Sequence, residues 1–472
     1  MITIFHMRKL SAIALLLFCI SASLFANTDT SNPLADPQAI VVCGNHDIPV
    51  HDPAATKKWC QKWFRYLRNH PLTGNQLPRM GTAGLVSSMQ MRGLLATKNY
   101  IDGRFEHFDK VNGETLAEEY NIVNKGCLSC PIKCARTVTV EGEDVKGPEL
   151  ETLGLLGGGI LNKDLYHILK WNKELDDLGL DTISASNTLA YAMEANERGL
   201  WNNGLKFGDI EGISKIWDDI AYRRGIGNEL AEGSKRLSEK YGGKEFAMQS
   251  KGLELAAYEP RRAVGQGLGY AVSNRGGCHL NGGYLVILEG LGLNIDAQTP
   301  HAKADFTMMF QDLMEMISAT GQCLFTSYAF FPGFLITRPN GAIATAANKL
   351  LPHLGWAIRL MNKFPRVLAF HLPVFHHTKM MQKAVGMPMT FGKYLQTGER
   401  GFSLERAVNV RFGVSAAKDS LPKRLTDVPQ DPNDPRTRVP LEQMKKIYYQ
   451  ARGWDKNGIP TCRTLKKLKI AR

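Results

Sequence analysis

The sequence predicts a mainly α protein, and three observations carry that prediction. Apolar residues recur at helical spacing in several separate stretches, most clearly Leu165, Ile168, Leu169 and Leu175, with Leu178 beyond. Start and stop signals bracket such stretches, as with Asp181 or Ser184 before the next one and Gly199 after it. Strand signals are few. The chain has 472 residues, 44% of them apolar and 22% charged. That is an ordinary globular balance and excludes a disordered chain. Only one long apolar run exists, which excludes a polytopic membrane protein.

The elements follow in order. Arg8 and Lys9 precede an apolar run over 10–26 that ends in small residues before a polar stretch. This has the shape of a secretory signal, with no membrane span expected in the mature chain. Positions 27–52 are rich in Pro, Asn and Asp, with one short strand candidate at 39–42. A helix is expected from Ala54 to Arg68, then glycine- and asparagine-bearing breaks near 74 and 82, then a loop over about 97–125. Helices follow over 164–178, from Asp181 or Ser184 to Gly199, and across 203–242. Gly265, Gly267 and Gly269 mark a compact glycine-rich stretch. A helix is expected over 303–318, then an aromatic loop with Phe325, Tyr328, Phe330, Phe331 and Phe334. His353, His371, His376 and His377 sit among prolines and aromatics, and 425–440 reads as a surface loop.

With 58 Lys and Arg against 45 Asp and Glu, the formal net charge is +13. The basic residues are spread rather than blocked and carry no interleaved aromatics. They point to an acidic protein partner or a solvated surface, and not to nucleic acid.

Nine cysteines are too few for a disulfide scaffold of this size, but Cys127, Cys130 and Cys134 form Cys-x-x-Cys-x-x-x-Cys. Soft thiolates suit iron, and three on one tight loop plus one distant cysteine can wrap the corners of a [4Fe-4S] cubane. Zinc, free thiols or a disulfide are the competing readings of the same spacing, although structural zinc more often uses two separated pairs. The fourth ligand would come from Cys278, Cys323 or another cysteine.

Several further motifs stand in order. Gly147-Pro148-Glu149-Leu150-Glu151-Thr152 is followed by a stretch from Asp176 through Gly179 and Leu180 to Asp181, then Ala192-Met193-Glu194. A run from Tyr270 through Arg275 and Cys278 to His279 and Leu280 comes next. Asn409 and Arg411, then Lys418 through Arg424, close the series. In this order, from about residue 38 to 468, the chain resembles the aldehyde ferredoxin oxidoreductase family of tungsten-pterin enzymes, and specifically its domains 2 and 3. The resemblance divides the chain into a signal-like segment 1–26, a linker with a remnant strand 27–50, a helical domain 51–248 with the three-cysteine loop, and a helical domain 249–472 with the fourth cysteine.

What the resemblance implies can be placed residue by residue. Cys127, Cys130, Cys134 and Cys323 match the four cluster ligands, which leaves Cys278 a bystander. Asp176, Gly179, Leu180 and Asp181 match one pterin-binding stretch. Ser318 and Gly321 match the second, where Ser318 replaces the usual Asp and removes one polar contact. Glu151 and His279 match the acidic and imidazole groups near the metal. The implied reaction oxidises an aldehyde to a carboxylic acid at a tungsten or molybdenum bis-pterin, passing electrons through the [4Fe-4S] cluster to ferredoxin. The family's N-terminal β-rich domain, which underlies the bis-pterin, is matched only near 39–42. The expectation is weak pterin retention by this chain alone, with a separate subunit supplying the β domain. The alternative is a non-catalytic iron–sulfur electron-transfer subunit or an inactive truncated homologue. Cluster chemistry favours the cytoplasm, whereas the signal-like run favours export.

Overall fold

A computed structural model describes residues 2–4, 40–42, 49–291, 293–364 and 375–470. The signal-like run at 10–26, most of the linker over 27–50, and His371 lie outside the described residues. Within the linker, β2 (Ile40–Val42) pairs in parallel with β1 (Ile2–Ile4).

Helix α1 (Pro53–Asn69) starts where Asp52 accepts a 2.9 Å hydrogen bond from the Ala55 amide and Pro53 supplies a preset first turn. It buries Thr56, Cys60, Trp63 and Leu67 at helical spacing. The breaks expected near 74 and 82 do not open into loops. Short helical turns run on from Leu72 to Arg92, with one corner at Gly81, where φ is +57°. A Cβ at Gly81 would lie 1.7 Å from the Arg136 guanidinium, so only glycine fits there. The segment expected to be a loop over 97–125 also contains a helix, Gly113–Glu119, capped by Asn112.

Strands β3 (Val123–Lys125), β4 (Ala135–Val140) and β5 (Glu143–Lys146) form an antiparallel sheet. Two further short strands, β6 (Gln249–Ser250) and β7 (Leu253–Glu254), form a hairpin. The rest of the described residues are helical or irregular, in line with the mainly α class. Helices α2 (Leu150–Leu156), α3 (Leu165–Asp177) and α4 (Thr182–Glu197) follow the sheet.

The compact glycine-rich stretch is a fully buried helix, α5 (Val264–Val272). Its glycines serve close packing: a Cβ at Gly269 would meet the Gly282 carbonyl oxygen at 2.4 Å. Helices α6 (Lys303–Ala319), α7 (Phe391–Arg411) and α8 (Leu441–Arg452) complete the scaffold. The expected aromatic loop is a tight helical segment, Leu324–Phe330.

One continuous hydrophobic cluster runs from Leu72 to Trp454 and takes residues from α2 to α6 and α8, so packing is unbroken across position 248. The ordered sequence motifs tie this scaffold together. Glu194, buried on α4, accepts from Arg424 and from Asn99 at 2.7 Å. Asn409 on α7 donates to the Asn274 carbonyl at 2.9 Å. Among the described residues no helix is long and apolar enough to cross a membrane.

Helices α6 and α7 pack closely, and a Cβ at Gly398 would lie 1.8 Å from the Asp312 carbonyl oxygen. Gly398→Ala should therefore destabilise the protein by about 1–3 kcal/mol through overpacking. Denaturant unfolding measures this, and an unchanged midpoint would show that the two helices separate freely.

Candidate functional site

The three clustered cysteines sit on the connection between β3 and β4, over 126–134. Lys125 pairs with Ala135 at its base, and the Cys130 amide donates to the Cys127 carbonyl at 2.9 Å. Two non-glycine residues in this loop, Ser129 (φ +60°) and Lys133 (φ +51°), adopt left-handed backbone. Such conformations cost on the order of 1 kcal/mol or more each and cluster at binding sites. Buried Arg136 lies beneath the loop and donates to the Cys134 carbonyl at 3.4 Å, while its terminal nitrogen is 3.9 Å from Glu149.

Cys323 arrives from the other half of the chain, just beyond α6. Gly321 (φ +66°) ends that helix: its amide donates to Ser318 and the Gln322 amide donates to Ile317. Burial pushes the Cys323 thiol up to about 12, and the neighbouring Cys130 and Cys127 push the same way. Burial likewise lifts Cys134, with Cys323 the strongest neighbouring contribution. All four sulfurs thus lie within electrostatic reach of one another. Cys278 instead accepts from the Asn281 amide at 3.4 Å within its own turn.

Among the described residues no three His, Cys, Asp or Glu side chains converge tightly enough to share one ion. A cubane asks for something different, because each thiolate takes its own iron corner. The donor set of four cysteines, whose thiol protons a metal would displace, fits that group.

Glu151 lies in the first turn of α2. Thr82 orients this helix start: it donates to Glu149 at 2.5 Å and accepts from the Leu150 amide at 2.9 Å. His279 lies in the turn after α5, which is wound around Asn281; that side chain accepts from Ser273 at 2.7 Å and from the Asn274 amide at 2.9 Å. The two meet, with His279 Nε2 3.3 Å from Glu151 Oε1, and they are only 17% and 14% exposed. Burial raises Glu151 to about 7, with Glu149 and Asp181 adding to the rise and a hydrogen bond from Tyr258 opposing it. Burial lowers His279 to about 4, with Arg275 pushing the same way. Both shifts have the same cause, the loss of solvation for a charged form.

Three tyrosines extend from this pair. Tyr258 donates to Glu151 at 3.1 Å, the Tyr258 and Tyr284 hydroxyls are 3.1 Å apart, and Tyr328 donates to Tyr284 at 3.0 Å. They are 1%, 3% and 4% exposed. Tyr284 holds a left-handed backbone, φ +52°. No spacing in the sequence links Tyr258 with Tyr284. Tyr328, expected only as a member of the aromatic loop, is buried and hydrogen-bonded. Phe325 stacks edge-on against it at 5.4 Å.

Asp176, Gly179, Leu180 and Asp181 occupy the junction of α3 and α4. Gly179 (φ +69°) ends α3, with its amide donating to Asp176 and the Leu180 amide to Leu175. Asp181 caps α4 by accepting from the Ser184 amide at 2.8 Å. A Cβ at Gly179 would meet nothing within 4 Å, and Asp176 and Asp181 are exposed, so this backbone is open to a flat ring. The turn from Ser318 to Gly321 repeats the same helix ending without a carboxylate. An identical ending closes α4 at Gly199, so the turn alone specifies nothing about a ligand.

The family described as "Aldehyde ferredoxin oxidoreductase, domains 2 & 3" matches residues 58–470. The tungsten-containing aldehyde ferredoxin oxidoreductase of Thermococcus kodakarensis is 35% identical over 436 residues, covering 89% of this chain and 65% of the relative. The chain belongs to the aldehyde ferredoxin oxidoreductase family. The enzyme of the same name from Pyrococcus furiosus is also 35% identical, over 450 residues, 92% of this chain and 67% of its own. The chain thus spans about two-thirds of the length of these family members. In fold it is similar to the active-site complex BamBC of benzoyl coenzyme A reductase, with a TM-score of 0.63 at 19% identity, covering 91% of this chain and 67% of that one.

The raised Glu151 has a consequence for stability. A carboxyl with a folded pKa near 7 and an ordinary value of 4.5 contributes stability that is full below 4.5 and is lost as pH rises through 7. That 2.5-unit difference corresponds to at most about 3 kcal/mol. Glu151→Gln should therefore melt higher than the wild type at pH 8 and converge with it below pH 4.5. Equal melting temperatures at pH 8 would mean that Glu151 is solvated.

Proposed function

We propose that this chain is the helical, cofactor-carrying part of an aldehyde-oxidising enzyme. The overall change would be RCHO + H2O → RCOOH + 2 H+ + 2 e−, with ferredoxin as the electron acceptor. The single observation that carries this reading is the buried Glu151–His279 pair, 3.3 Å apart; the four-cysteine donor set and the open α3–α4 junction support it. One carboxyl and one imidazole whose pKa values burial shifts in opposite directions are suited to acid–base work at neutral pH.

Cys127, Cys130, Cys134 and Cys323 would hold the [4Fe-4S] cluster. Asp176, Gly179, Leu180 and Asp181 would face one pterin, and Ser318 and Gly321 the other. The tungsten or molybdenum bis-pterin would supply the two-electron oxidation of the substrate carbon when bound. The chain's own residues would do the rest. Glu151, near its midpoint at neutral pH, accepts a proton from the attacking water. Neutral His279 holds the substrate carbonyl by hydrogen bond. Tyr258, with Tyr284 and Tyr328 behind it, keeps the Glu151 carboxylate hydrogen-bonded once the proton has moved on. The buried surroundings keep bulk water out of this exchange.

Anaerobic purification with iron, sulfide, tungsten, molybdenum and zinc quantified together tests this reading. About four iron and four sulfide per chain are expected. Cys323→Ser should lose most of the iron while the protein stays folded by circular dichroism. Zinc in place of iron, or iron retained in full by that variant, would overturn the ligand assignment. Activity should rise through pH 7 and fall by about 10²–10⁴ in Glu151→Gln.

A further inference from the structure

Helix α1 has two unlike faces. Outward it presents Lys57, Lys58, Lys62, Arg65 and Arg68, all exposed, and no acidic residue lies between Pro53 and Asn69. Among the described residues none of these five cations is in an ion pair. Lys62 instead lies over the Trp59 ring at 4.9 Å. The helix start is tied to the turn Met381–Val385, because the His51 and Asp52 amides donate to the Ala384 and Lys383 carbonyls at 2.9 and 3.1 Å. Lys383 and exposed Val385 belong to that turn, and half-buried Lys379 and exposed Met387 flank it. The nearest carboxylate in sequence, Asp52, is occupied by the cap. A basic field with a small apolar centre is the complement of an acidic protein that binds briefly.

Inward, α1 stacks on two histidines. Trp59 and Trp63 lie 5.3 and 5.7 Å from the His376 ring, and Trp63 lies 5.0 Å from His377. His377 Nε2 is 2.8 Å from the Thr326 hydroxyl, which donates to the Cys323 carbonyl at 2.6 Å. Burial keeps both imidazoles neutral. The outer surface of α1 is therefore joined to Cys323 by four consecutive rings and one hydroxyl, all in contact and all uncharged.

We infer that the outer face of α1, with Lys379, Lys383, Val385 and Met387, is the docking surface for a small acidic one-electron carrier protein. This rests on the reading of Cys323 as a ligand of the [4Fe-4S] group, which would supply the one-electron chemistry; α1 is the charged surface to which an aromatic path from that residue leads. Electron-carrier encounters are small and charge-steered, and one helix with its flanking turn has the required size.

The experiment titrates the intact protein with a small acidic ferredoxin by surface plasmon resonance from low to high salt. The wild type should bind, and tighter at low salt. Lys58→Glu with Lys62→Glu should weaken binding about tenfold or more at low salt and flatten the salt dependence. A matched double reversal beside the cysteine loop, Lys125→Glu with Lys133→Glu, should change binding less. If the α1 variant binds like the wild type, or the loop variant loses more, docking at α1 is overturned. Iron and sulfide measured on the same samples keep the two readings apart. Binding lost on α1 reversal in a protein without iron would sustain the surface and sink the cluster assignment. Wild-type affinity in an iron-loaded α1 variant would do the opposite.

Discussion

Removing Glu151 and His279 from water sets the terms for the rest of the site. Either charged form alone would be costly in a pocket this closed, so the pair settles on a carboxyl held near 7 and an imidazole held neutral. The cost falls on the surrounding scaffold, which must hold Glu151 against repulsion from Glu149 and Asp181 and His279 beside the like charge of Arg275. The three tyrosine hydroxyls answer this in part, because each can donate toward Glu151 in a chain that strengthens the last bond. That the middle member, Tyr284, adopts a left-handed backbone shows the hydroxyl line being kept at a local conformational cost.

The second organising feature is that helix ends, not helix faces, deliver the polar groups. Glu151 stands in the first turn of α2, Asp181 caps α4, Gly179 and Gly321 close α3 and α6, and Cys323 follows directly. Helix ends carry unpaired backbone groups and polar caps in any protein, so they gather where a site needs polarity without sacrificing the core. The long contact of α6 with α7 then matters for chemistry as well as stability. It fixes the end of α6, and with it the approach of Cys323 to a loop nearly two hundred residues earlier in the chain.

Much of this was legible in the sequence because the relevant signals are local. The period of α3, the Asp181 cap, the Gly199 stop and the three-cysteine spacing each depend on neighbours within a few positions. The glycine-rich stretch had no element assigned to it because glycine has two uses: it loosens a loop, but it also lets a helix pack tightly against backbone, and only the placement of Gly282 against Gly269 decides between them. The turns near 74 and 82 failed for a related reason, since tight helical turns can absorb glycines that ordinary helix rules treat as stops. The tyrosine line was out of reach. Its members come from three distant segments and share no period, and a buried tyrosine looks like core until its hydroxyl partner is known. Glu151 and His279 were reachable only through ordered motifs, since a lone glutamate and a lone histidine carry no geometry of their own.

The same distinction explains α1. Its amphipathic period identified it as a helix, and the +13 charge of the chain pointed to an acidic partner without giving a location. Sequence alone treats the five cations as a solvated face, because charge on an exposed helix needs no further cause. What changes the weight is the underside. Two adjacent histidines, uncharged and stacked against two tryptophans, gain little from burial compared with the aliphatic side chains that could fill the same space. A wholly apolar contact would anchor α1 at least as well. The rings in that place, ending on a hydroxyl bonded to the Cys323 carbonyl, therefore ask for a reason beyond stability, and a path toward a charged outer face supplies one.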